Sequence, residues 1–290
     1  MEFFLAQILN GIKTGGIYAL IVMGFNLLVL VSGVLHYAYA HLVVLSMYVA
    51  WLVLHLSGSL SLSLLVTPLA AVCLTQLTEV VFRPLTKRYA QFSPLIVSVA
   101  IAMIITDILS HFFNTGQPIS FPRILKTGWA DLRLGMVSFP VADIITLLGA
   151  ILMVLGFMSL LYRHQQGRAF RAIAQDIRSA RLVGIPIART TALSFTIAGL
   201  LAGATGILLI LSIGSASASL GNDLALKAFA LLLFAGTGNL WGGLFASFIL
   251  GIAESLTLGY LPGQWSNAIA FGMIALVILL RPKGLFGEQV

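Results

Sequence analysis

Charge is scarce in this chain. Asp, Glu, Lys and Arg make up 9% of its 290 residues, where an ordinary soluble domain holds about 25%. Apolar residues fill 59% of it, and its mean hydropathy is +1.05. A soluble globule is excluded, and the composition is that of a polytopic membrane protein. The formal charge of +7 does not make it a nucleic-acid binder, because its basic residues lie in connections between apolar runs and no basic, aromatic-rich polar domain is present. Cysteine is nearly missing. Cys73 stands alone inside an apolar run, which excludes a disulfide or thiolate–metal framework. The chain also lacks a G-x-x-x-x-G-K-[ST] phosphate loop, an H-E-x-x-H motif and a nucleophile elbow. It is therefore read as having no catalytic residues, no metal and no cofactor of its own. No basic n-region precedes the first apolar run, so that run is read as a span and not as a cleaved leader.

Apolar runs of spanning or near-spanning length fall at 6–31, 40–56, 60–82, 95–114, 141–162, 191–213, 223–237, 240–258 and 267–281, against about 20 residues for a full span. Several are short and interrupted by glycine, which in a transporter marks broken or half-spanning helices. The expected fold is all-α and polytopic, with eight or nine transmembrane or half-spanning helices in one domain over 1–290. The positive-inside rule places Arg83, Lys87 and Arg88, the arginines of 163–190, and Arg281 and Lys283 in the cytosol. It places Arg123, Lys126, Arg133 and Lys227 outside, and leaves Lys13 unassigned within the first run. The C-terminus and the 163–190 loop are then cytoplasmic, and nine crossings put the N-terminus outside.

The long polar segment between Arg163 and Arg189 carries arginines at 163, 168, 171, 178, 181 and 189 against a single acid, Asp176. At helical spacing Phe170, Ile173, Ala174 and Ile177 share one stripe, and Arg168, Arg171, Gln175 and Arg178 share another face. Gly184 followed by Pro186 supplies a stop. One amphipathic helix over 168–183 is expected. It is read either as a basic loop that sets topology or as a docking helix for a cytosolic partner.

Two polar stretches interrupt the apolar pattern, at 33–41 and at 214–222. The first holds His36, Tyr37, Tyr39 and His41, and the second Ser215, Ser217 and Asn222. They read either as interfacial belts or as unwound segments lining a pathway. Metal binding by His36 and His41 is disfavoured, since their spacing misses one helical face and no acid or Cys is near. Each interruption follows a glycine-rich span, so the two halves of the chain resemble each other, and an odd number of spans between equivalents predicts an inverted repeat. Small residues at Gly199 and Gly203, and at Gly238, Gly242 and Ala246, read as helix-packing ridges. Among ionisable groups, Glu79 and Arg83 read as an i, i+4 pair, Asp143 as solvated, and Asp107 and Glu254 as candidates for a polar interior.

The run GRAFRAIAQDIRSARLVGI resembles the cytoplasmic coupling loop of the branched-chain amino acid ABC transporter permeases of the LivH/LivM type. FAGTGNLWGGLFASFILGIAESL and the terminal RPKGLFG are similar to that family's closing segment. The resemblance implies the ABC importer permease fold and an inner-membrane permease for branched-chain amino acids or similar small solutes. It also implies a homologous second permease, two cytosolic ATPase subunits that bind the ATP, and an extracytoplasmic substrate-binding protein. Arg168, Phe170, Arg171, Ile173, Ile177, Arg178, Arg181 and Gly184 would then form the ATPase-coupling helix, with its apolar stripe filling a pocket of the ATPase. Where the family carries Asn-Phe-Ala-His-Gly-acid, this chain has His36-Tyr37-Ala38-Tyr39-Ala40-His41, and only Ala38 matches. No substrate assignment is carried over at that site. A stand-alone secondary transporter or channel is the alternative reading.

Overall fold

The computed structural model describes residues 2–88, 93–113, 117–121, 132–134, 137–236, 238–263, 265–281 and 284. Each apolar run coincides with a helix: α1 (Glu2–Ser32), α2 (Tyr39–Ser57), α3 (Leu60–Arg88), α4 (Ser93–Phe112), α5 (Val141–Arg163), α8 (Ile187–Ile213), α9 (Leu220–Ala235), α10 (Leu240–Tyr260) and α11 (Trp265–Leu280). Among the described residues, seven helices are long and apolar enough to cross a membrane. α9 and α11, of 16 residues each, reach about 24 Å, short of a hydrocarbon core of roughly 30 Å. The chain is thus an all-α multi-pass membrane protein. Its described strands are short pairs in connections: β1 (Ile119–Ser120) with β4 (Ser215–Ala216), and β2 (Leu132–Leu134) with β3 (Val137–Phe139). Trp129 and most of the 115–140 connection lie outside the described residues, as does part of the 83–94 turn.

Glycine sets how closely the helices approach. A Cβ on Gly251 of α10 would lie 2.4 Å from the Gly15 backbone nitrogen of α1, and one on Gly199 of α8 would lie 2.7 Å from the Val72 Cα of α3. Lipid tails are as apolar as the helices, so close backbone contact supplies the attraction that hydrophobicity cannot. The ridge expected at Gly199 and Gly203 is therefore a contact ridge, packed on Val72 and Pro68. The ridge expected from Gly238 needs correction. Gly238 lies in the turn before α10 with φ +85°, and its N–H donates to Asn26 Oδ1 at 3.0 Å. Gly242 sits in the first turn of α10, where its N–H donates to the Asn239 cap at 2.8 Å.

The helix contacts follow an internal exchange. Swapping α1–α4 with α8–α11 turns α1·α10 into α8·α3, α2·α3 into α9·α10, α2·α4 into α9·α11, and α2·α8 into α9·α1, and all of these pairs touch. α1 runs antiparallel to α8, so the repeat is inverted. Its residue register is regular. His41 and Asn222 stand 181 positions apart; at the same separation lie Gly33 and Gly214, both left-handed after a long helix, and the first residues of α2 and α9.

Candidate functional site

The two interruptions meet inside the bundle. After α1 the backbone runs non-helically to α2, and the polar groups it frees need partners at this depth. Ser32 Oγ accepts the Val34 N–H at 3.3 Å and Ser98 Oγ of α4 accepts the Ala38 N–H at 2.9 Å. His36 is fully buried. The Thr78 hydroxyl donates to Thr75 O, so it accepts from His36 Nε2, 2.9 Å away. Ser98 Oγ lies 3.4 Å from the other nitrogen. These bonds make Nε2 a donor, and the ring packs edge-on against Phe82. Tyr39 is equally enclosed, its hydroxyl donating to Ala198 O at 3.0 Å. The expectation that His36 and Tyr39 line a pathway is corrected accordingly: both rings hold the elbow between α1 and α2 in packed protein.

His41 behaves differently. Its Nε2 donates to Asn222 Oδ1 at 3.0 Å, and Gly221 lets the second interruption press on the imidazole, for a Cβ there would meet Cδ2 at 2.6 Å. The second stretch begins beside the middle of α2, where Ala216 O accepts from Tyr48 and Ser215–Ala216 pairs with β1. It then descends about 10 Å along α2 before α9 starts. The depth is internal, since Tyr39 touches Gly24 of α1 and α1 continues roughly 12 Å beyond that contact. At this depth Tyr37 and Ser217 are half-buried, while Ser219, Asn222 and Asp223 are exposed. Ser215, also half-buried, stays near the β1 pairing. Exposed amide, hydroxyl and carboxylate groups at mid-depth are costly against lipid, so this face belongs against water or another polar protein surface. Asp223 escaped the sequence reading because it sits at the start of an apolar run, just after the polar stretch 214–222.

The remaining ionisable groups also sort themselves. Lys227, expected in an external segment, is buried on α9 with its Nζ 2.5 Å from Glu254 Oε1. Glu254 also accepts from Tyr18 at 2.6 Å and Ser266 at 2.9 Å. A buried, paired amine of this kind does not belong in the inside–outside charge count. Asp107 is not interior: its side chain is 73% exposed, beside His111. Asp143, expected to be solvated, is paired with Lys13 at 2.7 Å. Glu79 and Arg83 form the expected pair as a two-bond fork.

The arginine segment departs from a single helix. α6 (Gln165–Gln175) and α7 (Ile177–Leu182) are separated by Asp176, which is extended at φ −156° and caps α7. The Ser179 hydroxyl, then the N–H groups of Arg178 and Ser179, donate to its carboxylate and hold that carboxyl below its usual pKa. Gly184, at φ +85°, and the Ile185 N–H bond to Ala180 O close α7. α6 sits directly on the end of α5, since a Cβ on Gly167 would overlap the Leu161 carbonyl. Phe170 and Ile173 are buried among the chain's own α1 and α5 side chains. They cannot fill a partner's pocket, which corrects the anchoring role expected of that stripe. Arg171 lies over the Tyr162 ring at 4.9 Å. Ile177, Leu182 and Val183 are 45%, 88% and 75% exposed, and Arg168, Arg178, Arg181 and Gly184 are exposed around them.

The family described as branched-chain amino acid transport system / permease component matches residues 7–278. The chain belongs to this family. BraD of Pseudomonas aeruginosa, a high-affinity branched-chain amino acid transport system permease protein, is 26% identical and covers 98% of this chain and 96% of its own. LivH of Salmonella typhimurium, with the same description, is 27% identical over 99% of this chain and 96% of its own. LsrC of Enterobacter sp., an autoinducer 2 import system permease protein, is 34% identical over 51% of this chain and 45% of its own. No solved structure matches. The membership makes the chain a transport permease.

Proposed function

We propose that the chain is the membrane-spanning subunit of an ABC importer for branched-chain amino acids or similar small solutes. It pairs with a homologous permease, two cytosolic ATPase subunits and an extracytoplasmic binding protein in a cell membrane, with 163–190 and the C-terminus in the cytosol. One observation carries the coupling role. Leu182 and Val183 stand exposed at the tip of a polar connection, while Phe170 bolts the same connection to α5 and α1. A partner that grips the tip therefore pulls on the bundle. Gripping a large apolar side chain is worth roughly 1.5–3 kcal/mol, whereas exposed arginine pairs give about 0–1 kcal/mol. Each nucleotide state must hold α7 in a different place for motion to follow. On this reading the face formed by Tyr37, Ser219, Asn222 and Asp223 borders the solute pathway.

The test is uptake of radiolabelled leucine, urea and related solutes by cells carrying the complete system. Leucine should accumulate and should cease to do so when the ATPase subunits are deleted. Uptake that survives their loss would replace this reading with a stand-alone transporter. Leu182→Asp should release the ATPase on co-purification while the permease stays inserted. Phe170→Ala should instead loosen the permease itself.

A further inference from the structure

A crevice of about 630 Å³ opens at the end of the bundle that carries α7. It lies between the end of α1, α3 and the start of α8, and α7 contributes Ile177 and Arg181 to its wall. It is separate from the polar face at Asn222. Phe82 and Phe195 line it, and the same two rings pack against His36. Val31, Val34, Ile185 and Ile187 line an apolar body. The charged groups are of both signs: the buried Glu79, the Arg83 that forks onto it, and Arg181.

The wall chemistry selects its ligand. An apolar crevice whose only charges were Arg83 and Arg181 would suit any anionic amphiphile. Here a carboxylate is also in the wall, and two bonds from Arg83 leave it acceptor capacity. A ligand with a carboxylate, an ammonium and an aliphatic side chain meets Arg181, Glu79 and the valine and isoleucine surface respectively. The volume lies in the range of small-molecule sites. We propose that this crevice is a second solute site, open toward α7, that binds a zwitterionic aliphatic amino acid. The proposal rests on the importer reading above. Because Ile177 and Arg181 belong to both the crevice wall and the α7 segment, an occupant touches the element the ATPase moves.

The experiment uses the assembled importer without its binding protein, in nanodiscs of zwitterionic lipid, and measures equilibrium binding of L-[3H]leucine. Saturable binding is expected. 4-Methyl-2-oxopentanoate, which keeps the carboxylate and aliphatic body but lacks the ammonium, should compete at least tenfold more weakly than leucine. Glu79→Gln should erase that difference. Thr191→Trp, which fills the crevice from α8, should abolish binding and leave assembly intact, and it stands as the test if Glu79→Gln fails to fold. No saturable leucine binding would overturn the proposal, as would binding unaffected by Thr191→Trp or retained phospholipid that leucine cannot displace. Adding leucine-loaded binding protein to the same particles separates this from the importer reading. ATP hydrolysis stimulated by it, with no leucine bound in its absence, sinks only the crevice site; no stimulation at all sinks the importer reading.

Discussion

Replacing Lys227 by Met removes the ammonium from a buried cluster and leaves the Glu254 carboxylate with two hydroxyl donors, Tyr18 and Ser266. The chain length of Met keeps the packing nearly constant, so the perturbation is electrostatic. Lys227 and Glu254 are both about 90% or more buried, and breaking one side of a buried ion pair costs about 3–5 kcal/mol because the other charge is stranded. Replacing both charges by neutral side chains of similar shape strands nothing and is often neutral. The double variant Lys227→Met/Glu254→Gln should therefore recover most of the loss, leaving it within about 1 kcal/mol of the native chain. The three variants are compared by denaturant-induced unfolding in one detergent, with the coupling taken from the double-mutant cycle. Contact between α9 and α10 should be lost first, since Lys227 is on the former and Glu254 on the latter. Native-like stability of Lys227→Met alone, or a double variant as unstable as the sum of its singles, would refute the argument.

Gly251→Leu and Gly199→Leu should each prevent folding, because a Cβ would lie under 3 Å from backbone of the facing helix; detergent stability equal to wild type would show that the backbones separate at little cost. Single cysteines in a Cys73→Ala background should react with a water-soluble thiol reagent at Ser219, Asn222 and Asp223 but stay inert at His36 and Tyr39, and the opposite pattern would reverse the assignment of the polar face. Asp176 has its pKa lowered by the hydroxyl and N–H groups it accepts from, so its cap contributes fully above the ordinary carboxylate pKa and is lost as pH falls through the lowered value. Hydrogen exchange at α7, corrected for intrinsic rate, should thus be flat from about pH 8 to 5 and rise only in stronger acid. A rise near neutrality would mean that another group controls the helix.

The helices were legible because apolar length alone marks a span, and even the short α9 and α11 interrupt the polar pattern enough to be seen. The inverted repeat was legible from its two matched interruptions. What they do was not. Periodicity places His36 and His41 in one stretch, yet only the fold shows that one ring is sealed by Thr78 and Ser98 while the other meets Asn222. Phe170 and Ile177 share a stripe on an ideal helix, and the break at Asp176 sends one inward and the other outward. A capping acid in mid-segment was a readable signal for that break. The positive-inside rule misplaced Lys227 because it counts charges and knows nothing of partners such as Glu254.

The hydrogen bond between His41 and Asn222 joins positions that the internal repeat makes equivalent. The donor sits on one half and the acceptor on the other, so the two equivalent positions carry different residues. The halves differ there, and they differ further along: α2 has 19 residues and α9 has 16, and Lys227 has no basic counterpart on α2. If the halves were identical, exchanging their conformations would turn a cavity open to one side into the same cavity open to the other, at equal energy. With unequal halves the two openings are not isoenergetic. The permease then has an intrinsic resting side, and on the proposed coupling role the work delivered through α7 is what would move it off that side.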